Sequence, residues 1–75
     1  MKDRLAQQFG GKWDGDLPEI HGLVSVGKRK LKVELLYVKT TDHWQCCIFE
    51  GGEVLVIEQG EEVPLLVGKA LSKAL

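Results

Sequence analysis

Cysteine is scarce in this 75-residue chain, and the two that occur, Cys46 and Cys47, are neighbours. Adjacent residues of an extended strand point to opposite faces, so a disulfide between them would close a strained eight-membered ring. A disulfide framework is excluded, and two reduced thiols are expected, at least one packed as a small hydrophobe. Charge of one sign is also lacking, because ten Lys and Arg stand against eleven Asp and Glu for a net charge of −1. That balance removes the broadly basic surface that nucleic-acid-binding domains usually carry. Long hydrophobic runs are absent, none approaching the roughly 18 residues that span a bilayer. The opening stretch MKDRLAQQFGGKW lacks the apolar centre of a secretory signal. A cytoplasmic location without membrane contact is expected.

Motifs that hold cofactors or metals are missing as well. No GxGxxG, Walker A, GxSxG or CxxC pair occurs. Asp14-Gly15-Asp16 resembles a fragment of a calcium loop, but the repeated oxygen ligands and closing Glu are not at the required spacing, so it reads as a turn. No cofactor, metal or catalytic residue is assigned.

What the chain does contain is enough for one domain spanning residues 1–75. Its 44% hydrophobic and 28% charged content is that of a folded globular unit. Chains this short bury only about 60% of the surface exposed on unfolding, and self-association is a common remedy.

Asp3 to Phe9, followed by Gly10-Gly11, reads as a two-turn helix with Asp3 as N-cap and Leu5 and Phe9 on one face. Gly11 to Pro18 reads as loop, with Leu17-Pro18 as a turn signal and Trp13 tucked over the core edge. Four strands follow: Ile20–Val26, Leu31–Lys39, His43–Glu50 and Glu53–Glu58. The connecting turns are Gly27 to Lys30, Thr40-Thr41-Asp42 and Gly51-Gly52. The C-terminus carries two competing patterns. Val67, Ala70, Leu71, Ala74 and Leu75 recur at helical spacing behind Pro64, whereas Val63 and Leu65 to Val67 could form a short strand. A helix covering at least 68–74, starting as early as Pro64, is preferred.

The segments LKVELLYV, WQCCIFE and EVLVIE are apolar at even and odd positions alike. A strand with one wet face alternates with period two, and one covered on both faces does not. The fold class expected is α+β: a four-stranded antiparallel meander with a short N-terminal and a C-terminal helix. The alternative is a small SH3-like or OB-like barrel. Barrels want glycines or bulges within strands to bend them, and the second, third and fourth strands have no glycine, which favours the open sheet.

A sheet with two apolar faces and one substantial helix points to a non-enzymatic interaction or regulatory module that self-associates as a homodimer or docks a protein partner. With Leu36, Val38, Trp44, Cys46 and Ile48 on one face and Leu35, Tyr37, Cys47 and Phe49 on the other, only one set fits under a single short helix, and the other is left as an exposed patch. Leu36, Tyr37, Val38, Trp44 and Ile48 are the candidate interface residues, with Trp44 and Tyr37 as the kinds of side chain that anchor interfaces. Charge is unevenly placed. Residues 27–41 hold Lys28, Arg29, Lys30, Lys32 and Lys39 against Glu34 alone, and residues 42–62 hold six acidic residues and no Lys or Arg. The basic hairpin of Lys28, Arg29, Lys30 and Lys32 is the alternative site, for phosphates of a nucleic acid. A third alternative is a Cys–His enzyme or metal site from His43, Cys46 and Cys47. Distance argues against it: residues 43 and 47 of one strand lie about 13 Å apart, and Cys46 points the other way.

Overall fold

Turn chemistry sets the layout of the sheet. The computed structural model describes residues 1–16 and 18–75, with α1 (Lys2–Phe9), β1 (Lys12–Asp14), β2 (Glu19–Val26), β3 (Arg29–Val38), β4 (His43–Glu50), β5 (Glu53–Gly60) and α2 (Val63–Ala74). Gly27, at φ 62, is the first of the two residues joining β2 to β3. Gly51 and Gly52, at φ 58 and 87, both take the left-handed conformation that a tight two-residue hairpin requires. All neighbouring strands are antiparallel, in the order β1-β2-β3-β4-β5.

The sheet therefore has five strands, one more than the sequence pattern indicates, and it stays open with β1 and β5 at its edges. The additional strand, Lys12-Trp13-Asp14, lies within the stretch read as loop. Three residues are too few to show a period, and the strand is defined by its partner: Trp13 pairs with Gly22. A Cβ at position 22 would fall 2.3 Å from the Trp13 ring, so only glycine admits the indole there. The indole N–H also donates to the Gly10 carbonyl oxygen at 2.6 Å, tying β1 to the end of α1. Leu17 lies outside the described residues, so the expected Leu17-Pro18 turn is represented by Pro18 alone, whose carbonyl accepts from the Tyr37 N–H at 2.8 Å.

Both helices form. α1 starts at Lys2 with Met1 at its N-cap, which places Asp3 inside the first turn and corrects its expected role as cap. A carboxylate there still meets the positive end of the helix. Gly10, at φ 70, ends the helix with its N–H on the Ala6 carbonyl oxygen. α2 runs from Val63, so segment 63–67 is helical and the strand reading of it is set aside. Pro64 occupies the first turn, where its missing N–H removes no helical hydrogen bond.

Both helices lie on the same side of the sheet. α2 packs across β4 and β5, and α1 packs against β1 and α2. The buried layer takes Ile20, Val24, Leu31, Val33, Leu35, Trp44, Cys46 and Ile48 from the strands. Leu5 of α1 and Val63, Leu66, Val67, Ala70 and Leu71 of α2 close over it. Glu58 belongs to the same covered face, opposite Cys46. Its carboxylate reaches Lys69 at 3.7 Å and hydrogen-bonds to Lys73, so α2 is fastened to β5 by charge at its rim. No helix among the described residues is long and apolar enough to cross a membrane.

Two measurements probe this arrangement. Gly22→Ala is expected to evict the Trp13 ring and to destabilise the fold by about 1–3 kcal/mol, an overpacking cost. Chemical denaturation would read this, with Ser25→Ala, exposed on β2, as the unaffected control. The hydrogen bond from Lys73, with Lys69 nearby, holds the Glu58 carboxyl below its ordinary range. A depressed folded-state pKa adds stability above the unfolded value and loses it as pH falls through the folded one. Glu58→Gln is therefore expected to lower Tm at neutral pH and to flatten the fall of Tm in acid. A parallel shift at all pH values would contradict the assignment.

Candidate interaction surface

The face of the sheet turned away from the helices is covered by no element of the described chain. Strand register arranges it in rows running across the sheet. One row is Lys12, Leu23, Lys32, Phe49 and Val54. The next is Asp14, His21, Glu34, Cys47 and Ile57, and below it lie Glu19, Leu36, Gln45 and Gln59. A bulge between Ile48 and Phe49 on β4, opposite Val54 to Val56, inserts Leu55 as an extra residue of β5. Val54, Leu55 and Ile57 are 51%, 37% and 58% exposed, and Leu23 and Leu36 are 59% and 40% exposed. The β4–β5 half is thus a contiguous apolar patch, and the β1–β3 half carries charge.

The charged half is internally ordered. Lys32 lies 3.2 Å from Glu34, and His21 lies 3.6 Å from the same carboxylate. A shallow groove of about 490 Å³ runs beside them, lined by Lys12, Asp14, Gly15, His21, Gly22, Leu23 and Lys32.

The structure divides the residues singled out from the sequence. Leu36 and Val38 lie on the open face. Trp44 and Ile48 lie under the helices, 7% and 0% exposed, and Tyr37 shares their side of the sheet at its rim. Tyr37 and Trp44 pack ring to ring at 5.5 Å, and the Tyr37 hydroxyl donates to Asp42. Trp44 and Ile48 are core residues, so their assignment to a partner-binding face is corrected. On β4 and β5 the open face instead carries Cys47, Phe49, Val54 and Ile57. Their signal is the lost alternation of EVLVIE and WQCCIFE.

Nor does the basic hairpin present one surface. Arg29 turns to the helix side and grips Glu50 with two hydrogen bonds, Nε to Oε2 at 2.9 Å and an Nη to Oε1 at 2.8 Å. This pairing holds the Glu50 carboxyl below its ordinary range and raises the guanidinium above its own. Lys28 sits in the turn, while Lys30 and Lys32 project from the open face, Lys32 already beside Glu34. The four cations thus divide between the turn, the covered side and the open face.

The thiols and histidines are similarly separated. Cys46 is buried beneath α2, and its pKa is pushed up to about 12, mainly by that burial. Cys47 faces the opposite side, half-buried, with the Gln45 amide 3.5 Å from its sulfur. His43 sits at the foot of β4, bonded through Nδ1 to the Thr41 carbonyl oxygen and 3.5 Å from Glu61. No group of three or more His, Cys, Asp or Glu among the described residues is placed to hold a metal ion. Iodoacetamide applied to the dilute native protein is expected to modify Cys47 alone, and Cys47→Ser to abolish native labelling. Rapid native labelling of Cys46 would contradict its burial.

No protein-family model, curated protein or solved structure matches this chain, so the reading of the surface rests on its own geometry and chemistry.

Proposed function

We propose that this protein is a non-enzymatic interaction module that self-associates through the open face of its sheet. The observation that carries this reading is the unshielded apolar patch of Phe49, Val54, Leu55 and Ile57, contiguous across two hydrogen-bonded strands. Single exposed apolar side chains are ordinary on protein surfaces, whereas contiguous patches rimmed by polar groups mark contact sites. Here the rim is supplied by Gln45, Gln59 and the charged rows on β2 and β3.

Size supports a second copy as the occupant. Strands β2 to β5 hold 8, 10, 8 and 8 residues. At about 4.8 Å between strands and about 26 Å of length, they offer roughly 500 Å² per copy. Two copies together bury about 1,000 Å², the lower bound of a biological interface and the size of weak, transient association. The separation of Cys47 from His43 along one strand, and the high pKa of Cys46, support the absence of thiol chemistry.

Sedimentation velocity across a concentration series tests the reading. The wild-type chain is expected to shift from monomer to dimer between micromolar and millimolar concentration, and alkylation of Cys47 to slow in step. Ile57→Asp, at a position 58% exposed, is expected to remain folded and monomeric. Trp44→Asp is expected to unfold the chain, because it places a charge in the core. A wild-type chain monomeric throughout, or an Ile57→Asp variant that dimerises normally, would overturn the proposal.

A further inference from the structure

The charged rows also specify how two copies meet. We infer that the dimer has its two-fold axis perpendicular to the strands, passing between the Lys12–Lys32 row and the Asp14–Glu34 row. This rests on the self-association proposed above and goes on to its geometry.

Face-to-face packing of identical sheets needs a two-fold axis lying parallel to both, midway across a gap of about 10 Å. An axis parallel to the strands, centred on the middle strand β3, would lay each row on its own copy. Lys32 would then oppose Lys32 and Glu34 oppose Glu34, with both pairs losing water. Like charges so placed are costly.

Turned by a right angle, the axis exchanges neighbouring rows and leaves each strand over its own copy. Lys32 then faces the partner's Glu34, and Lys12 faces the partner's Asp14. The same operation sets Phe49 over the partner's Cys47 and Val54 over the partner's Ile57. One choice of axis thus pairs the two charged rows and the apolar residues of β4 and β5, while at its margin Lys30 lies over the partner's Leu36. Moving it one row further down would set Glu34 against the partner's Leu36 and leave Lys32 without a carboxylate. The resulting assembly has four layers, with the helices outermost and the two sheets in contact, an ordinary aligned sheet-on-sheet packing.

The existing contact between Lys32 and Glu34 within one chain, at 3.2 Å, is exposed and weak by itself. It leaves both charged groups accessible on the open face, 53% and 33% exposed.

A charge exchange on β3 separates the two axes. The double variant Lys32→Glu/Glu34→Lys keeps composition and the contact within the chain, and each copy still offers its partner the complementary charge. It is expected to self-associate within about threefold of wild type. Mixed with wild type, however, it would bring ammonium against ammonium and carboxylate against carboxylate, weakening the mixed dimer at least about tenfold. Native mass spectrometry of an equimolar mixture, with one protein labelled with nitrogen-15, reads the share of mixed dimers. That share is expected well below the one random exchange would give. The single variant Lys32→Glu is expected to weaken self-association about tenfold as well. Mixed dimers at or above the random share, with both proteins self-associating and Ile57→Asp monomeric, would overturn the axis and leave the open-face reading intact. A wild-type chain that never dimerises would overturn both.

Discussion

The rest of the structure depends on how much sheet one helix can shelter. α2 has 12 residues, and a helix of that size is about 18 Å long and 10 Å wide. It shades little more than two strands, and it lies over β4 and β5. The covering of β1, β2 and β3 falls to Leu5, Phe9 and the Trp13 indole, drawn from a two-turn helix and a three-residue strand. All of that material is used on one side, where Val33, Ile48, Cys46 and Val67 reach complete burial. Nothing remains for the other side, yet Cys47, Phe49, Val54 and Ile57 on its β4 and β5 strands are apolar. The contiguous patch follows directly from this shortage.

The same shortage was legible in the sequence, since three strands fail to alternate, but the side on which each residue falls was not. The reason is one residue of turn. Reading Thr40-Thr41-Asp42 as the connection makes Lys39 and His43 partners and puts Leu36 beside Trp44 and Ile48. In the structure the connection is Lys39 to Asp42 and the closing pair is Val38 with His43. Asp42 makes the extra residue feasible by taking φ 53, a left-handed conformation that Asp tolerates better than most. A shift of one residue exchanges the faces of a strand, so Leu35 and Tyr37 join Trp44, Cys46 and Ile48, while Leu36 joins Cys47 and Phe49. The hairpins closed by glycines at positive φ carried no such ambiguity. β1 was illegible for another reason: its evidence is the missing side chain at Gly22, ten residues from the start of the strand it accommodates.

Charge follows the division of faces. On the covered side each ionic contact joins separate elements of the fold: Arg29 on β3 to Glu50 on β4, and Lys69 and Lys73 on α2 to Glu58 on β5. These clasp the rim of the core. On the open side the Lys32–Glu34 contact joins residues two apart on a single strand, and His21 reaches Glu34 from the neighbouring strand. Such contacts add little to the stability of one chain. What they do is set a row of cations beside a row of carboxylates along the strand direction, which is the pattern a copy related by a perpendicular axis would complement.

The edges explain why contact through the face is favoured over strand addition. An exposed edge is a template for another chain unless it is short, bulged or charged. Here one edge is β1, only three residues long and flanked by Gly11 and Gly15. The other is β5, interrupted by the bulge at Leu55 and carrying Glu53 and Glu58 along its length. Two β5 edges brought together antiparallel would bring these carboxylates close and meet a break in the ladder at the bulge. With both edges blunted, the open face remains as a contiguous apolar surface to remove from water. Its burial by a second copy would supply the shelter that the chain is too short to provide for itself.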